Sequence, residues 1–324
     1  MREKIIDLLK KHPGQYVSGE EISKLLAVSR TAVWKHIKVL QEEGYEISAL
    51  SKNGYRLERI PDKMLAEEIK NGLETKWLGQ EIRYFSEVGS TNNIAKMLGD
   101  ENAKEGLLVI AEQQNAGRGR LGRNWVSPAG KGLWFSLLLR PKISLLEASQ
   151  LTIMTVTAIA QVLRNDFNLP VGIKWPNDLL WNGKKVAGIL TEVKAEADIV
   201  NYVVLGIGIN VDMDHNSLPK EIHQTASALS QIKGQPLPRI FLLQKILKGI
   251  EVMYEKYLDE GFEFCLKLWK EYNVTLGQEI TITTWQKKIK CFAMDLDRMG
   301  GLIVLLPDGS RQTFHSGDVT LKNS

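Results

Sequence analysis

Hydrophobic positions at the start of the chain recur at helical spacing. Ile5, Ile6, Leu8 and Leu9 line one side of a first helix that ends near His12-Pro13-Gly14. Ser18 with Glu21 three residues on forms a capping-box pattern, which predicts a second helix running to Leu26. After a short turn at Ala27 and Val28, Ser29 is placed to cap a third helix that turns Ala32, Val33, Ile37 and Leu40 inward and stops at Gly44. Two short strand-like segments then flank Asn53-Gly54, the strongest short hairpin signal. Two helices joined by a tight turn, with a hairpin behind them, make a winged helix-turn-helix. The third helix carries Ser29 at its start and then Arg30, Thr31, Lys35, His36 and Lys38, with no acid before Glu42; Lys52 and Arg56 flank the hairpin tip. One face is therefore basic. By geometry the third helix would enter a DNA major groove while the wing meets backbone, and so small a module needs a dimer for useful specificity.

Ile60-Pro61-Asp62 breaks this pattern and predicts a hinge. From there to about residue 272 helical and strand-like segments alternate. A helix is expected over Leu146 to Asn165, a strand and hairpin over Val171 to Val193 turning at Asn182-Gly183, a strand over Val200 to Asn210, and an amphipathic helical stretch over Arg239 to Tyr272. From Val274 the pattern changes to short alternating strands, Ile280 to Thr284, Ile289 to Leu296 and Leu302 to Leu306, with a turn at Pro307-Asp308-Gly309. The expectation is a multidomain α+β protein: a winged helix-turn-helix at 1–62, an α/β domain with a largely hairpin-connected sheet at 63–272, and a small β-barrel at 273–324.

Composition narrows the class. With 324 residues, 44% hydrophobic and 25% charged, the chain resembles an ordinary globular protein large enough for two or three domains. The N-terminus has no apolar segment with a cleavage site, and no apolar run approaches the roughly 18 residues that span a bilayer, so a cytoplasmic location without membrane contact is expected. Cys265 and Cys291 suggest neither a disulfide framework nor a zinc site, and His12, His36, His215, His223 and His315 show no ligand spacing. No protein-bound transition metal is expected. A net charge of +4 does not by itself mark a nucleic-acid binder, so that reading rests on local arrangement.

The densest chemistry lies in Gly117 to Trp125, GRGRLGRNW, with three glycines and three arginines in nine residues. Gly117, Gly119 and Gly122 satisfy the G-x-G-x-x-G spacing of dinucleotide folds, but Trp125, Pro128, Gly130 and Gly132 follow where a helix should open, and no carboxylate appears until Glu147. A Rossmann turn holds pyrophosphate with backbone N–H groups; guanidiniums make bidentate, permanently charged contacts to phosphate oxygens. Three further elements are polar beyond structural need. Ser90-Thr91-Asn92 follows a strand-like stretch and precedes Ile94, Ala95 and Leu98 at helix spacing, which as a cap explains one side chain of three. In Lys174-Trp175-Pro176-Asn177-Asp178 an amide beside a carboxylate can reach a nucleotide or Mg²⁺, or simply make a turn. Strand alternation puts Lys184 and Lys185 on opposite faces, so one of them points to the buried side or a cleft. There is no Walker A sequence.

GRGRLGRNW, KWPND, KVAGIL and the GIGIN pentad at Gly206 to Asn210 resemble the biotin protein ligase family, and with the winged helix the whole chain resembles its bifunctional members, both ligase and biotin operon repressor. The resemblance implies a central biotin ligase catalytic domain with a mixed sheet and a C-terminal SH3-like barrel. It implies two steps: biotin and ATP, with Mg²⁺, give biotinyl-5'-adenylate and pyrophosphate, and a lysine of a biotin carboxyl carrier domain, in acetyl-CoA carboxylase or another biotin-dependent carboxylase, then takes the biotin. By match to the family's motifs, Ser90, Thr91, Asn92 and Gln114 hydrogen-bond the biotin head or its neighbourhood. Arg118 and Arg120, with the Gly119 backbone, embrace carboxylate and phosphate; Lys185 places charge at the reacting atoms, and Arg123 and Trp125 order over the nucleotide. Asn177, Asp178 and Asn210 are assigned to nucleotide or Mg²⁺ contacts.

The glycines make the loop costly to order, so it is expected to be mobile without ligand and to close over the adenylate. If closure completes a dimer surface, the adenylate acts as corepressor and the homodimer binds biotin operator DNA. The rival readings are a lipoate-type ligase, which shares the adenylate chemistry, a non-catalytic ligand-sensing transcription factor, and a ligase whose winged helix no longer represses. The arginine-rich loop favours biotin; intact Arg118, Arg120 and Lys185 argue against a mere sensor.

Overall fold

The computed structural model describes residues 1–213, 220–284 and 287–322, which fall into two compact units, Met1–Lys63 and Met64–Ser324. In the first, α1 (Arg2–Lys11), α2 (Gly19–Leu26) and α3 (Arg30–Glu43) are followed by a hairpin of β1 (Glu46–Leu50) and β2 (Gly54–Arg59). The caps fall where the sequence places them. Ser18 Oγ accepts from the Glu21 amide at 3.0 Å, Ser29 Oγ from the Ala32 amide at 3.1 Å, and Gly44 ends α3 in the left-handed region. Ile5, Ile6, Leu9, Ile22, Val33, Ile37 and Leu40 form the core, while Ala32 is only half-buried. The wing departs from its expected turn. Asn53-Gly54 is not its two-residue tip: Leu50 pairs with Gly54, and the positive φ angles fall on Lys52 and Gly54. Gly54 is required by a long-range neighbour, because a Cβ there would lie 2.0 Å from the Val17 carbonyl, whose strand-like segment exchanges two amide bonds of 2.9 Å with Tyr55.

The second unit is built on a seven-stranded mixed sheet. In chain order its elements are α4 (Ala66–Lys70), β3 (Ile82–Val88), α5 (Thr91–Asp100), β4 (Leu108–Gln114), β5 (Gly132–Leu139), α6 (Ala148–Asn165), β6 (Gly172–Lys174), β7 (Asp178–Trp181), β8 (Lys184–Glu196) and β9 (Ile199–Asn210). The strand order is β3-β4-β5-β9-β8-β7-β6, with β3 and β4 parallel and every other pair antiparallel. The β7–β8 hairpin turns at Asn182-Gly183, both at positive φ, as expected. Then come α7 (Lys220–Thr225), α8 (Leu229–Lys233), α9 (Arg239–Glu260) and α10 (Glu263–Tyr272). The stretch expected as one helix is thus two, broken at Gly261 (φ 82°).

Side-chain alternation divides the sheet. Leu108, Ile110, Phe135, Leu137, Leu205, Ile207 and Ile209 face α6 and α9 in one large core, and Leu107, Val109, Leu138, Tyr202 and Val204 face α5 on the other side. Leu145–Asn165 is apolar enough by composition to cross a bilayer, yet it is a core helix with most of its side chains buried. The C-terminal part is a five-stranded antiparallel sheet, β10 (Glu279–Thr283), β11 (Lys288–Leu296), β12 (Leu302–Leu305), β13 (Arg311–Phe314) and β14 (Asp318–Leu321), in the order β13-β12-β11-β10-β14. Its last two strands went unread in the sequence. They are four residues each and, unlike the equally short β12 (LIVL), mostly polar, RQTF and DVTL, so no apolar run marks them.

Candidate active site and nucleic-acid interface

The α5 side of the sheet is only half covered. Beyond Val204 the outward positions of β9 are Gly206 and Gly208, and β8 places Gly188 opposite Gly208. The surface therefore drops into a cleft of about 600 Å³, lined by the start of α5, the Gly117–Trp125 loop, the β6–β8 segment and β14. GIGIN is explained by this alternation: its isoleucines fill the core and its glycines make the floor. A Cβ at Gly206 would sit 2.1 Å from Asn92 Oδ1, and one at Gly208 2.4 Å from the Trp125 indole.

The N-terminus of α5 points into the cleft with Ser90, Thr91 and Asn92 all buried. Ser90 occupies the cap position but makes no capping bond with its side chain; Gln114 Oε1 takes that role, accepting from the Thr91 amide at 2.9 Å and from Thr91 Oγ1 at 3.1 Å. Gln114 Nε2 donates to Ser127 Oγ at 2.9 Å. Ser136 Oγ lies 2.8 Å from Thr91 Oγ1 and donates to Asn92 Oδ1 at 2.6 Å, while Asn92 Nδ2 donates to Glu192 at 2.7 Å. These partners fix each amide orientation and leave a preorganised polar wall.

The arginine loop is a tight hairpin. Gly119 N donates to Arg123 O at 2.7 Å, and Trp125 N to Gly117 O at 2.9 Å. Gly117 permits this closure, since a Cβ there would be 2.4 Å from Trp125 O. Arg118 is exposed at the rim. Arg120 turns inward and donates to Asn177 Oδ1 at 3.1 Å; burial lowers its pKa, opposed by the charges of Asp178 and Asp318. Arg123 pairs with Asp318 of β14 at 2.5 Å, which makes the C-terminal sheet a wall of the cleft. Trp125 lies on the glycine floor, edge-on to Trp134, with a buried Nε1–H that has no partner among the described residues.

Lys185 reaches the cleft from β8, its Nζ 5.0 Å above the Trp125 ring and 2.6 Å from Asp178 Oδ1. A bulge at Lys185-Val186 sends Val186 into the core beside it. Its carbonyl accepts from Ser227 N at 2.9 Å and Asn210 Nδ2 at 3.4 Å, so Asn210 braces the lysine's backbone. Lys174 Nζ lies 3.0 Å from Asp178 Oδ2. Burial pushes the Asp178 pKa up, but the charges of Lys185 and Lys174 outweigh it and hold the carboxyl below the usual range.

All thirteen residues expected to bind ligand line this one cleft. The magnesium assignment fits less well: both Asp178 oxygens are engaged by lysines and both ends of the Asn177 amide are used, by Arg120 and by Ile189 O. Among the described residues no three His, Cys, Asp or Glu side chains cluster as a metal site, and His215 lies outside them. Sequence reasoning missed Lys174, Trp134, Ser136 and Asp318. Of these Lys174 stood in the KWPND element without being given a role, and Ser136 carried a signal as the lone polar residue in an apolar strand.

In the first unit Thr31, Lys35, Lys38 and Lys52 are exposed, His36 is half-buried, and the Ser29 hydroxyl is spent on its cap. Arg30 pairs with Glu20 of α2, and Arg56 with Glu58 while stacking on Tyr16. Trp34, 51% exposed on the same helix as the basic residues, was not anticipated.

Comparison with known proteins agrees with this geometry. The Biotin/lipoate A/B protein ligase family model matches residues 84–210, an HTH domain model 1–56, and a Biotin protein ligase C terminal domain model 275–322. The chain is 40% identical over 321 residues to the bifunctional ligase/repressor BirA of Bacillus subtilis, covering 99% of this chain and 98% of that protein. It is 29% identical to the Escherichia coli protein of the same name, covering 99% and 97%. Biotin protein ligase from Aquifex aeolicus in complex with biotin and ATP superposes with a TM-score of 0.64 at 32% identity, covering 76% of this chain and all of that one.

Proposed function

The chain belongs to the biotin protein ligase family, in the branch that joins the ligase to a helix-turn-helix repressor domain, and from that premise we propose how its residues divide the work. One cleft takes biotin and ATP in turn. A biotin carboxylate oxygen attacks the α-phosphorus, the bond to the β-phosphate oxygen breaks, and pyrophosphate leaves. The amine of a carrier-domain lysine then attacks the acyl carbon and AMP departs, leaving an amide.

The observation that carries this reading is convergence. The Lys185 ammonium, the Arg120 guanidinium and the start of α5 meet over a floor of glycines, with Arg118 at the rim of the same cleft. The carboxylate and α-phosphate repel each other as they approach, and negative charge then shifts to the phosphoryl and leaving pyrophosphate oxygens; one preorganised donor at such a site is worth roughly 3–4 kcal/mol. Ser90, Thr91, Asn92 and Gln114 form the polar wall for the biotin head. Gly119 offers its backbone, while Arg123 and Trp125 close the nucleotide side. Asn177 and Asn210 brace Arg120 and Lys185, and Asp178 sets the charge around them. Magnesium travels with the ATP phosphates, since among the described residues the cleft carboxylates Asp178 and Asp318 are both paired with protein cations.

The repressor half follows from the same chain. Thr31, Lys35, Lys38 and Lys52 supply DNA contacts, with Ser29, Arg30 and His36 shaping the helix start and flank. A homodimer formed in the adenylate-bound state is supported by a bare apolar patch: Leu146 is 79% exposed and Ile199 69%, beside an outer edge of β8 that has no strand partner beyond Gly188 among the described residues. The loop closes over the adenylate, excludes water from the anhydride and favours the dimer that binds operator DNA.

Pyrophosphate exchange into ATP tests the enzyme, run with biotin and separately with lipoate. Exchange with biotin alone is expected; exchange with lipoate alone would overturn the substrate. Operator affinity measured with and without biotin plus ATP tests the coupling, and an unchanged affinity would refute it.

A further inference from the structure

Asp178 is buried beneath the cleft with a different lysine on each carboxylate oxygen. Lys185 Nζ lies 2.6 Å from Oδ1 and Lys174 Nζ 3.0 Å from Oδ2. Lys174 and Asp178 are register partners across the β6–β7 hairpin, whereas Lys185 arrives from β8. The two lysines differ in freedom: the Lys185 side chain is 32% exposed to the cleft and that of Lys174 only 16%. If Lys185 were the sole counter-ion of Asp178, turning its ammonium to a ligand would strand a buried, uncompensated carboxylate, one of the costliest states a protein interior can hold. Arg120 is the other cation near Asp178, and it is tied to Asn177 rather than to the carboxylate.

We propose that Lys174 is a positioning residue for adenylate formation: it keeps Asp178 neutralised so that Lys185 can turn its charge to the reacting carboxylate and α-phosphate. The inference rests on the role given to Lys185 above. Lys174 touches no reacting atom in this scheme; it acts through Asp178. Its removal therefore affects the step in which Lys185 works and not the recognition of the biotin head at the far wall.

The test is biotin-dependent pyrophosphate exchange by the full chain. Lys174→Met lowers kcat about tenfold or more while KM for biotin stays within about twofold, and Lys174→Arg, which returns a cation to Asp178, recovers most of the loss. In an Asp178→Asn background the same Lys174→Met change moves kcat by less than about threefold, because no charge remains to be neutralised. Equal losses in both backgrounds would overturn the proposal and make Lys174 a direct substrate contact. Should Asp178→Asn fail to fold in thermal unfolding, the Arg rescue and the kcat-against-KM split decide. Full exchange by Lys185→Met would instead remove the assignment on which the proposal stands.

Discussion

Replacing Gly208 with alanine probes the glycine floor with one carbon. The new Cβ would lie 2.4 Å from Trp125 Cε2 and 2.5 Å from Nε1, where carbon contacts settle at about 3.5–4.0 Å. Something must move by about 1 Å. The strand cannot, because Gly208 is paired with Trp134 of β5 on one side and Gly188 of β8 on the other. The indole must leave the floor instead. It then loses its edge contact to Trp134, worth about 0.5–1.5 kcal/mol, and its place under the Lys185 ammonium, worth about 0.5–2 kcal/mol. A mid-range loss of about 2 kcal/mol corresponds to about a 30-fold fall in kcat/KM for biotin. Pyrophosphate exchange gives that ratio, and tryptophan emission, with Trp125→Phe as the control, reports whether the indole has become hydrated. A variant with kcat/KM within about twofold of the parent and unchanged emission would refute the account of the floor.

Glu251 of α9 accepts amide bonds from Lys76, Trp77 and Leu78 at 2.9–3.0 Å; Glu251→Gln turns an NH₂ towards those donors and should cost about 1–3 kcal/mol of stability, read in denaturant unfolding. Burial raises the Glu251 pKa but the three amides outweigh it and hold it below 4.5. Its contribution is then complete above about pH 4.5 and lost as pH falls through the folded-state value, so stability plotted against pH should be flatter for the variant in that acid range; parallel curves would count against the assignment. For the DNA reader, Lys35→Ala should weaken binding about equally on all sequences and reduce the salt slope by about 1; an unchanged slope in a salt titration would take Lys35 off the phosphate backbone.

What was legible in the sequence was local chemistry. Ser18, Ser29 and Gly44 mark helix ends because a cap satisfies backbone groups within three or four residues. Asn182-Gly183 marks its turn for the same reason. Gly54 misled because its need comes from Val17, far along the chain, and the 239–272 stretch misled because apolar periodicity continues across the break at Gly261. Asp318 was invisible for a related reason. Nothing near it in sequence says that β14 borders the cleft, and only the pairing of β14 beside β10 brings its carboxylate to Arg123.

KWPND shows how much of a motif's polarity can be spent inside the protein. An amide beside a carboxylate suggested nucleotide or magnesium ligands, yet Trp175 is fully buried, its Nε1 bonded to Gly300 O at 3.0 Å and its amide to Thr275 Oγ1 at 2.9 Å. Asn177 spans Arg120 and Ile189 O. The segment anchors the catalytic sheet to the C-terminal sheet and fixes two cations. A composition-based reading sees polar atoms and asks what ligand they bind, whereas burial shows that most of them bind other protein groups. The same logic separates the arginine loop from GIGIN: the loop supplies charge, and GIGIN supplies absent side chains. Neither does much alone. Arginines over a floor of valines would leave no room for a ligand, and a glycine floor without the arginines would hold one without activating it. The pairing of the two motifs is therefore stronger evidence of adenylate chemistry than either spacing by itself.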